Sequence, residues 1–237
     1  MDSAAGKLEA IVKRALKVNE PLTEHSLLKV NAVAALYVEI DAQDVLIKVI
    51  NEARALGIPV FILGSGTRIE TGEKVKGLVI KNLCRRFDKA SMKGTIRKSE
   101  IGVENVQVYA QAGVLMNQLV RFTIEEGLGG LEYQLGLPGT VGGAIFTNAK
   151  YIPKYLLVNK NLQSVTLLSE TGDMQTYSGE VPYFMYTDEA WTDSKDIILS
   201  AVFKLTPTDK KTLWERGQEA VEWRKQEAER REQNKKS

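Results

Sequence analysis

The chain has 237 residues, 43% of them hydrophobic and 26% charged, with a net charge of +2. That is an ordinary globular composition, long enough for one large core or two small domains, and its charge gives no argument for nucleic acid or an anionic membrane as partner. One cysteine, Cys84, excludes an internal disulfide framework, and one histidine, His25, excludes a metal site or triad that needs several. No apolar run approaches the roughly 20 residues that span a bilayer. The first residues, MDSAAGKLEA, lack the pattern of a secretory signal. A cytoplasmic location is expected.

In chain order, Leu8, Ile11, Val12 and Leu16 fall at helical spacing, which predicts an amphipathic helix over 4–17 with Pro21 breaking the pattern. Residues 36–40 predict a short strand. Residues 44–56 predict a helix with Val45, Leu46, Val49, Ile50 and Ala53 on one face and Gly57 at its C-cap. Residues 59–63 (PVFIL) are the continuous apolar run of a buried strand, and 77–80 predict another. Residues 84–105 are polar and predict an irregular excursion. Residues 106–110 alternate as a strand, and 114–126 predict a helix built on Leu115, Leu119, Val120 and Phe122. Residues 163–168 and 174–177 flank Thr171-Gly172-Asp173 as a hairpin, and 197–205 predict a last strand. Beyond Pro207 the charges thicken around Trp214, Val221 and Trp223, which predicts one helix fraying into a solvated tail. The mixture is α+β, with a division near residue 83.

Two glycine-rich loops stand out. The first, Gly64-Ser65-Gly66-Thr67-Arg68, follows a buried strand directly. Successive N–H groups in such a turn make a nest for an anion, and the hydroxyls of Ser65 and Thr67 add donors. It fits neither the dinucleotide fingerprint, since no third glycine follows in register, nor the P-loop, since no Gly-Lys-Ser/Thr ending is present. A tight strand-to-strand turn remains its other reading. The second runs from Gly136 to Ala144 and holds four glycines and a proline in nine positions, flanked by Leu135, Leu137, Val141 and Ile145. A partly buried loop must satisfy its N–H groups, and a bound pyrophosphate would do so. A close-packed structural loop is the alternative. Together the two loops, about seventy residues apart, suit a dinucleotide. Cys84, His25, Glu132, Tyr133, Trp214, Trp223, Asp188 and Glu189 are expected in packing or solvated surface.

Three blocks resemble the UDP-N-acetylenolpyruvoylglucosamine reductase (UDP-N-acetylmuramate dehydrogenase) family: His25-Ser26-Leu27-Leu28-Lys29-Val30; PVFILGSGTR; and the longest, from Val108 to Ala149. The resemblance covers roughly residues 20–230, the FAD-binding part of that family. It implies an α+β fold of two FAD-binding subdomains of the vanillyl-alcohol-oxidase type. The expected organisation is an N-terminal helix at 1–20, subdomains at 21–83 and 84–206, and a charged C-terminal helix and tail at 207–237. It implies FAD as cofactor, held by Leu63, Gly64, Ser65, Gly66, Thr67, Arg68, Gly136, Pro138, Gly139, Thr140, Gly142, Gly143, Ala144 and Asn148. It further implies NADPH as electron donor, a UDP-sugar enolpyruvyl ether as substrate, and bacterial peptidoglycan precursor synthesis as setting.

This chain departs from the family at named places. Asn31-Ala32 stand where two glycines are usual, and Thr67-Arg68 where Ser-Asn is usual. Lys150-Tyr151-Ile152 follow Asn148-Ala149 in place of a glycine-containing run. Thr187, after Tyr186, takes the position of the substrate arginine. The substrate domain with its serine acid and glutamate is expected to be absent. The expectation is therefore a flavin-dependent oxidoreductase, truncated or inactive without that domain. The alternatives are a non-catalytic FAD- or nucleotide-binding module and an electron-transfer flavin subunit completed by a second protein chain.

Overall fold

The computed structural model describes residues 4–27, 29, 31–67, 74–97, 100–178 and 195–234. Its first sheet has the order β1-β2-β4-β3, from β1 (Lys17–Pro21), β2 (Val33–Ile40), β3 (Val60–Leu63) and β4 (Lys74–Asn82). Strands β2, β4 and β3 run parallel, and β1 joins β2 antiparallel. Helix α1 (Ala4–Val12) packs on α2 (Gln43–Ala55), which lies on the sheet. Leu46, Val49, Ile50 and Ala53 of α2 are buried against Val38, Ile40, Leu78 and Ile80. Each of those larger aliphatic side chains contributes about 2 kcal/mol by leaving water. Gly57 ends α2, its N–H donating to Arg54 O.

The second sheet has the order β11-β10-β12-β6-β5, all antiparallel: β5 (Phe87–Arg97), β6 (Glu100–Gln111), β10 (Leu162–Leu168), β11 (Met174–Ser178) and β12 (Ile197–Pro207). The short β7 (Leu128–Gly129) pairs with β12, and β8 (Lys150–Tyr151) pairs with β9 (Leu156–Leu157). Helices α3 (Met116–Glu125) and α4 (Val141–Phe146) bury Met116, Leu119, Val120, Ile124, Ala144 and Ile145 with Val108, Ala110, Phe203 and Leu205. The long α5 (Lys210–Asn234) buries Leu213, Gly217 and Ala220. Leu168 and Leu199 of the second sheet join the core of the first.

Three expectations change. The N-terminal helix stops at Val12, Lys13 takes a left-handed φ of 54°, and residues 17–20 belong to a strand. Residues 87–97 and 100–105, expected to be irregular, are strand. Strand β5 and the start of β6 form a hairpin whose side chains from Lys89 to Lys93 are exposed, so no apolar alternation marks it. Residues 225–234 stay helical rather than fray, with Arg230 paired to Glu227 at 2.9 Å. Among the described residues no helix is long and apolar enough to cross a membrane, and no cluster of His, Cys, Asp or Glu could hold a metal ion.

Candidate functional site

The two glycine loops come together. A Cβ on Gly64 would lie 2.7 Å from Thr140 Oγ1, so only glycine lets the first loop sit this close to the second. Thr140 is itself fixed: its Oγ1 accepts from Gly143 N at 3.3 Å, and its carbonyl accepts from Ala144 N at 2.8 Å. The second loop is bonded to α3 and the strand before it. Val141 N donates to Val114 O, Gly142 N to Ala112 O, and Met116 N to Gly139 O. Gly136 N donates to Asn117 Oδ1 at 3.1 Å. Gly139 has φ 134°, a backbone angle that a side chain would strain.

A cleft of about 370 Å³ opens where the loops meet. Ser65, Pro138 and Gly139 line it from the predicted set. Leu63, Gly64, Gly66 and Thr67 lie beside Ser65 in the first loop. Gly136, Thr140, Gly142, Gly143 and Ala144 belong to the second loop and α4, and Asn148 to the turn after α4; none of them is in the lining. Arg68 lies outside the described residues, as do Leu28, Val30, Tyr186, Thr187, Asp188 and Glu189.

The sequence reading missed part of the lining. Leu115 and Asn117 come from the start of α3, Lys81 from the end of β4, and Glu24 to Leu27 from the segment after β1. No spacing singles out Lys81 or Asn117; each sits inside an otherwise regular element. The 24–27 segment was legible only through its resemblance to the family. It is tied to the first loop by Leu27 N donating to Ser65 O at 2.8 Å.

Unused donors stand in the cleft wall, at Ser65 and Gly139, and beside them in the two loops. Ser65 Oγ is buried and has no hydrogen-bond partner among the described residues. Among the described residues, the backbone N–H groups of Gly64, Ser65, Gly66, Gly139 and Thr140 find no acceptor. A buried hydroxyl is rarely left so, and an anionic oxygen supplies what Ser65 lacks while accepting from the nearby N–H groups as well. The side chain of Asn148 also ends in a buried oxygen without a partner. On the apolar side, Leu27 is 60% and Leu115 37% exposed.

A polar network stands next to the cleft. His25 Nε2 lies 2.7 Å from Glu20 Oε1 and its Nδ1 2.8 Å from the Tyr37 hydroxyl, which donates to Glu39 at 2.7 Å. Hydrogen bonds from Lys17 and then His25 hold the Glu20 carboxyl below the ordinary glutamate range. Burial, then the bond to Glu39, pushes the Tyr37 phenol well above its ordinary range. Burial lowers the Lys81 ammonium, against the favourable charge of Glu39. Burial likewise raises the Cys84 thiol to about 11, which leaves it a protonated core residue.

A dinucleotide-binding flavoprotein fold is what this arrangement defines: two packed α+β units with glycine loops from each meeting at one cleft. The FAD binding domain family matches residues 34–178, and the chain belongs to that family, with FAD as its cofactor. The residues present fit the group, because the buried Ser65 hydroxyl and the neighbouring N–H groups without an acceptor among the described residues suit phosphate oxygens.

Its relatives are more particular. The UDP-N-acetylenolpyruvoylglucosamine reductase of Desulforamulus reducens is 29% identical over 78% of this chain and 56% of that protein. The enzyme of the same name from Clostridium tetani is 27% identical over 94% of this chain and 68% of that protein. That from Exiguobacterium sibiricum is 29% identical over 86% and 63%. The chain thus spans 56–68% of the length of these three relatives. Among solved structures, UDP-N-acetylenolpyruvylglucosamine reductase from Thermus caldophilus superposes with TM-score 0.65 at 22% identity, covering 89% of this chain and 70% of that one. A solvent-stable cholesterol oxidase superposes with TM-score 0.54 at 16% identity, covering 81% and 38%. The fold is the α+β, two-subdomain FAD-binding fold expected from the sequence.

Proposed function

We propose that the chain holds FAD across the two loops and is the flavin-carrying part of a UDP-N-acetylenolpyruvoylglucosamine reductase working in the bacterial cytoplasm. The observation that carries this reading is the set of unpaired donors at Ser65, Gly66, Gly139 and Thr140, gathered where the loops meet. In it, Ser65 Oγ and the N–H groups of both loops bind the pyrophosphate. Thr140 fixes the approach of Gly64. Leu63, Thr67, Gly136, Pro138, Gly142, Gly143, Ala144 and Asn148 complete the walls and hold them in shape, and Arg68 is a further cofactor residue on the sequence resemblance alone. Leu27 and Leu115 offer apolar surface to a ring and keep water from it. Bound FAD supplies the hydride chemistry between NADPH and the enolpyruvyl double bond of a UDP-sugar. The protein's share is binding, orientation and exclusion of water.

A second reading rests on Thr187. Threonine cannot present the fixed, bidentate positive fork that an arginine offers a carboxylate. That favours an FAD-binding module without reductase activity, or one completed by a second chain. One experiment separates these readings: absorbance spectra of the purified protein, before and after FAD and then NADPH. A bound flavin band that bleaches with NADPH supports the reductase. A band that persists supports the passive module. A protein that takes up no FAD contradicts both.

A further inference from the structure

Resting on the FAD reading above, we propose that Lys81 is a cofactor-binding residue whose ammonium receives a phosphate oxygen of the dinucleotide. Strand β4 pairs with β3 in parallel register, with Lys81 opposite Leu63, the residue immediately before Gly64. Lys81 therefore stands beside the strand end that launches the first loop, and it lines the same cleft as Ser65 and Gly139. No other lysine or arginine lines it among the described residues.

The ammonium is under-used where it stands. It has three N–H donors. One goes to His25 O at 2.5 Å, and no carboxylate lies within salt-bridge distance among the described residues. The charges that act on it are Glu39, which favours the protonated form, and Arg85, which opposes it. Glu24 and His25 share the cleft wall. Partial burial of a cation without a paired anion is unfavourable, and burial does draw the Lys81 ammonium below its ordinary range. A phosphate in the cleft supplies the missing anion and the missing acceptors together. The neighbouring N–H groups of Gly64 to Gly66 serve the same anion, so the loop gives shape and Lys81 gives charge.

The bond to His25 O allows a purely structural role, in which Lys81 only steadies the 24–27 segment. The test is chosen to separate the two. FAD affinity of wild type, Lys81→Met and Lys81→Arg is measured by flavin fluorescence titration at low and at high salt, with circular dichroism as a fold control. A charge-assisted hydrogen bond lost from the phosphate weakens FAD binding by about tenfold in Lys81→Met at low salt. Lys81→Arg stays within about threefold of wild type because the charge is kept. The gap between wild type and Lys81→Met narrows as salt rises, because screening removes only what the charge contributes. Equal affinity for wild type and Lys81→Met overturns the assignment. So does a loss that is the same at both salt concentrations, since that is the signature of a disturbed 24–27 segment. If wild type itself takes up no FAD, the reading beneath the assignment falls and takes it along. If wild type binds and Lys81→Met matches it, only the assignment falls.

Discussion

Loop 136–144 and loop 64–67 touch where Thr140 fills the space under Gly64, yet they are held in opposite ways. The second loop is bonded along its length to Ala112, Val114, Met116 and Asn117. It is also clamped at its start by α5. Arg224 donates to Tyr133 O and Leu135 O, both at 2.9 Å, and to Gln134 Oε1 at 3.3 Å. Burial lowers the Arg224 guanidinium to about 10, still fully charged at neutral pH. Among the described residues the first loop has one backbone anchor outside its strand, Ser65 O accepting from Leu27 N. The second loop is bonded to its neighbours at most of its positions and keeps the N–H groups of Gly139 and Thr140 without an acceptor among the described residues; the first offers donors with little to hold them. Stability and ligand affinity should therefore separate between them.

The largest effect is expected at the scaffold. Arg224→Met strands the carbonyls of Tyr133 and Leu135, just before the loop, and should cost about 3 kcal/mol of unfolding free energy, read by urea denaturation without ligand. A loss under about 1 kcal/mol would mean that α5 does not hold the loop. Next is the contact itself. Gly64→Ala places a methyl against Thr140 Oγ1 and should weaken FAD binding by about tenfold or more through overpacking. Its melting temperature without ligand should move much less than that of Arg224→Met. Thr140→Ala removes the cap on Gly143 N and should cost about 1 kcal/mol of stability.

Ser65→Ala sharpens the contrast most. It deletes a buried hydroxyl that has no hydrogen-bond partner among the described residues. Stability without ligand should stay level or rise slightly, while FAD affinity falls about fivefold. A variant that loses stability and keeps its affinity would show the hydroxyl serving the fold instead. The smallest effect belongs to the network beside the cleft. Glu20 has its folded-state pKa held below the ordinary 4.5. Its contribution is therefore present above that value and is lost as pH falls through the lower folded one. Wild type should lose stability on acidification slightly more steeply than Glu20→Gln, as followed by melting temperature against pH.

Much of this was legible in the sequence, for physical reasons that differ by region. Helix α2 declared itself through Leu46, Val49, Ile50 and Ala53 at helical spacing and Gly57 behind them. The second glycine loop was marked because its backbone course demands residues without side chains. Strand β1 was not legible: of KVNEP only Glu20 is even partly buried, and the strand exists by pairing with β2. The β5–β6 hairpin was missed because Lys89, Ser91 and Lys93 are solvated. Of the expected site residues, Ser65, Pro138 and Gly139, marked by their loop chemistry, line the cleft. Lys81 was hidden because a parallel register, Lys81 opposite Leu63, brings it to the first loop from eighteen residues further along the chain.

The most direct test is a titration of FAD into the ligand-free protein, wild type beside Ser65→Ala and Gly64→Ala, followed by flavin fluorescence and visible absorbance. Two loops meeting at one cleft predict saturable binding of a single FAD per chain, weakened in both variants with their folded spectra intact. A wild-type protein that leaves FAD free in solution, or variants that bind it as tightly as wild type, would contradict the account.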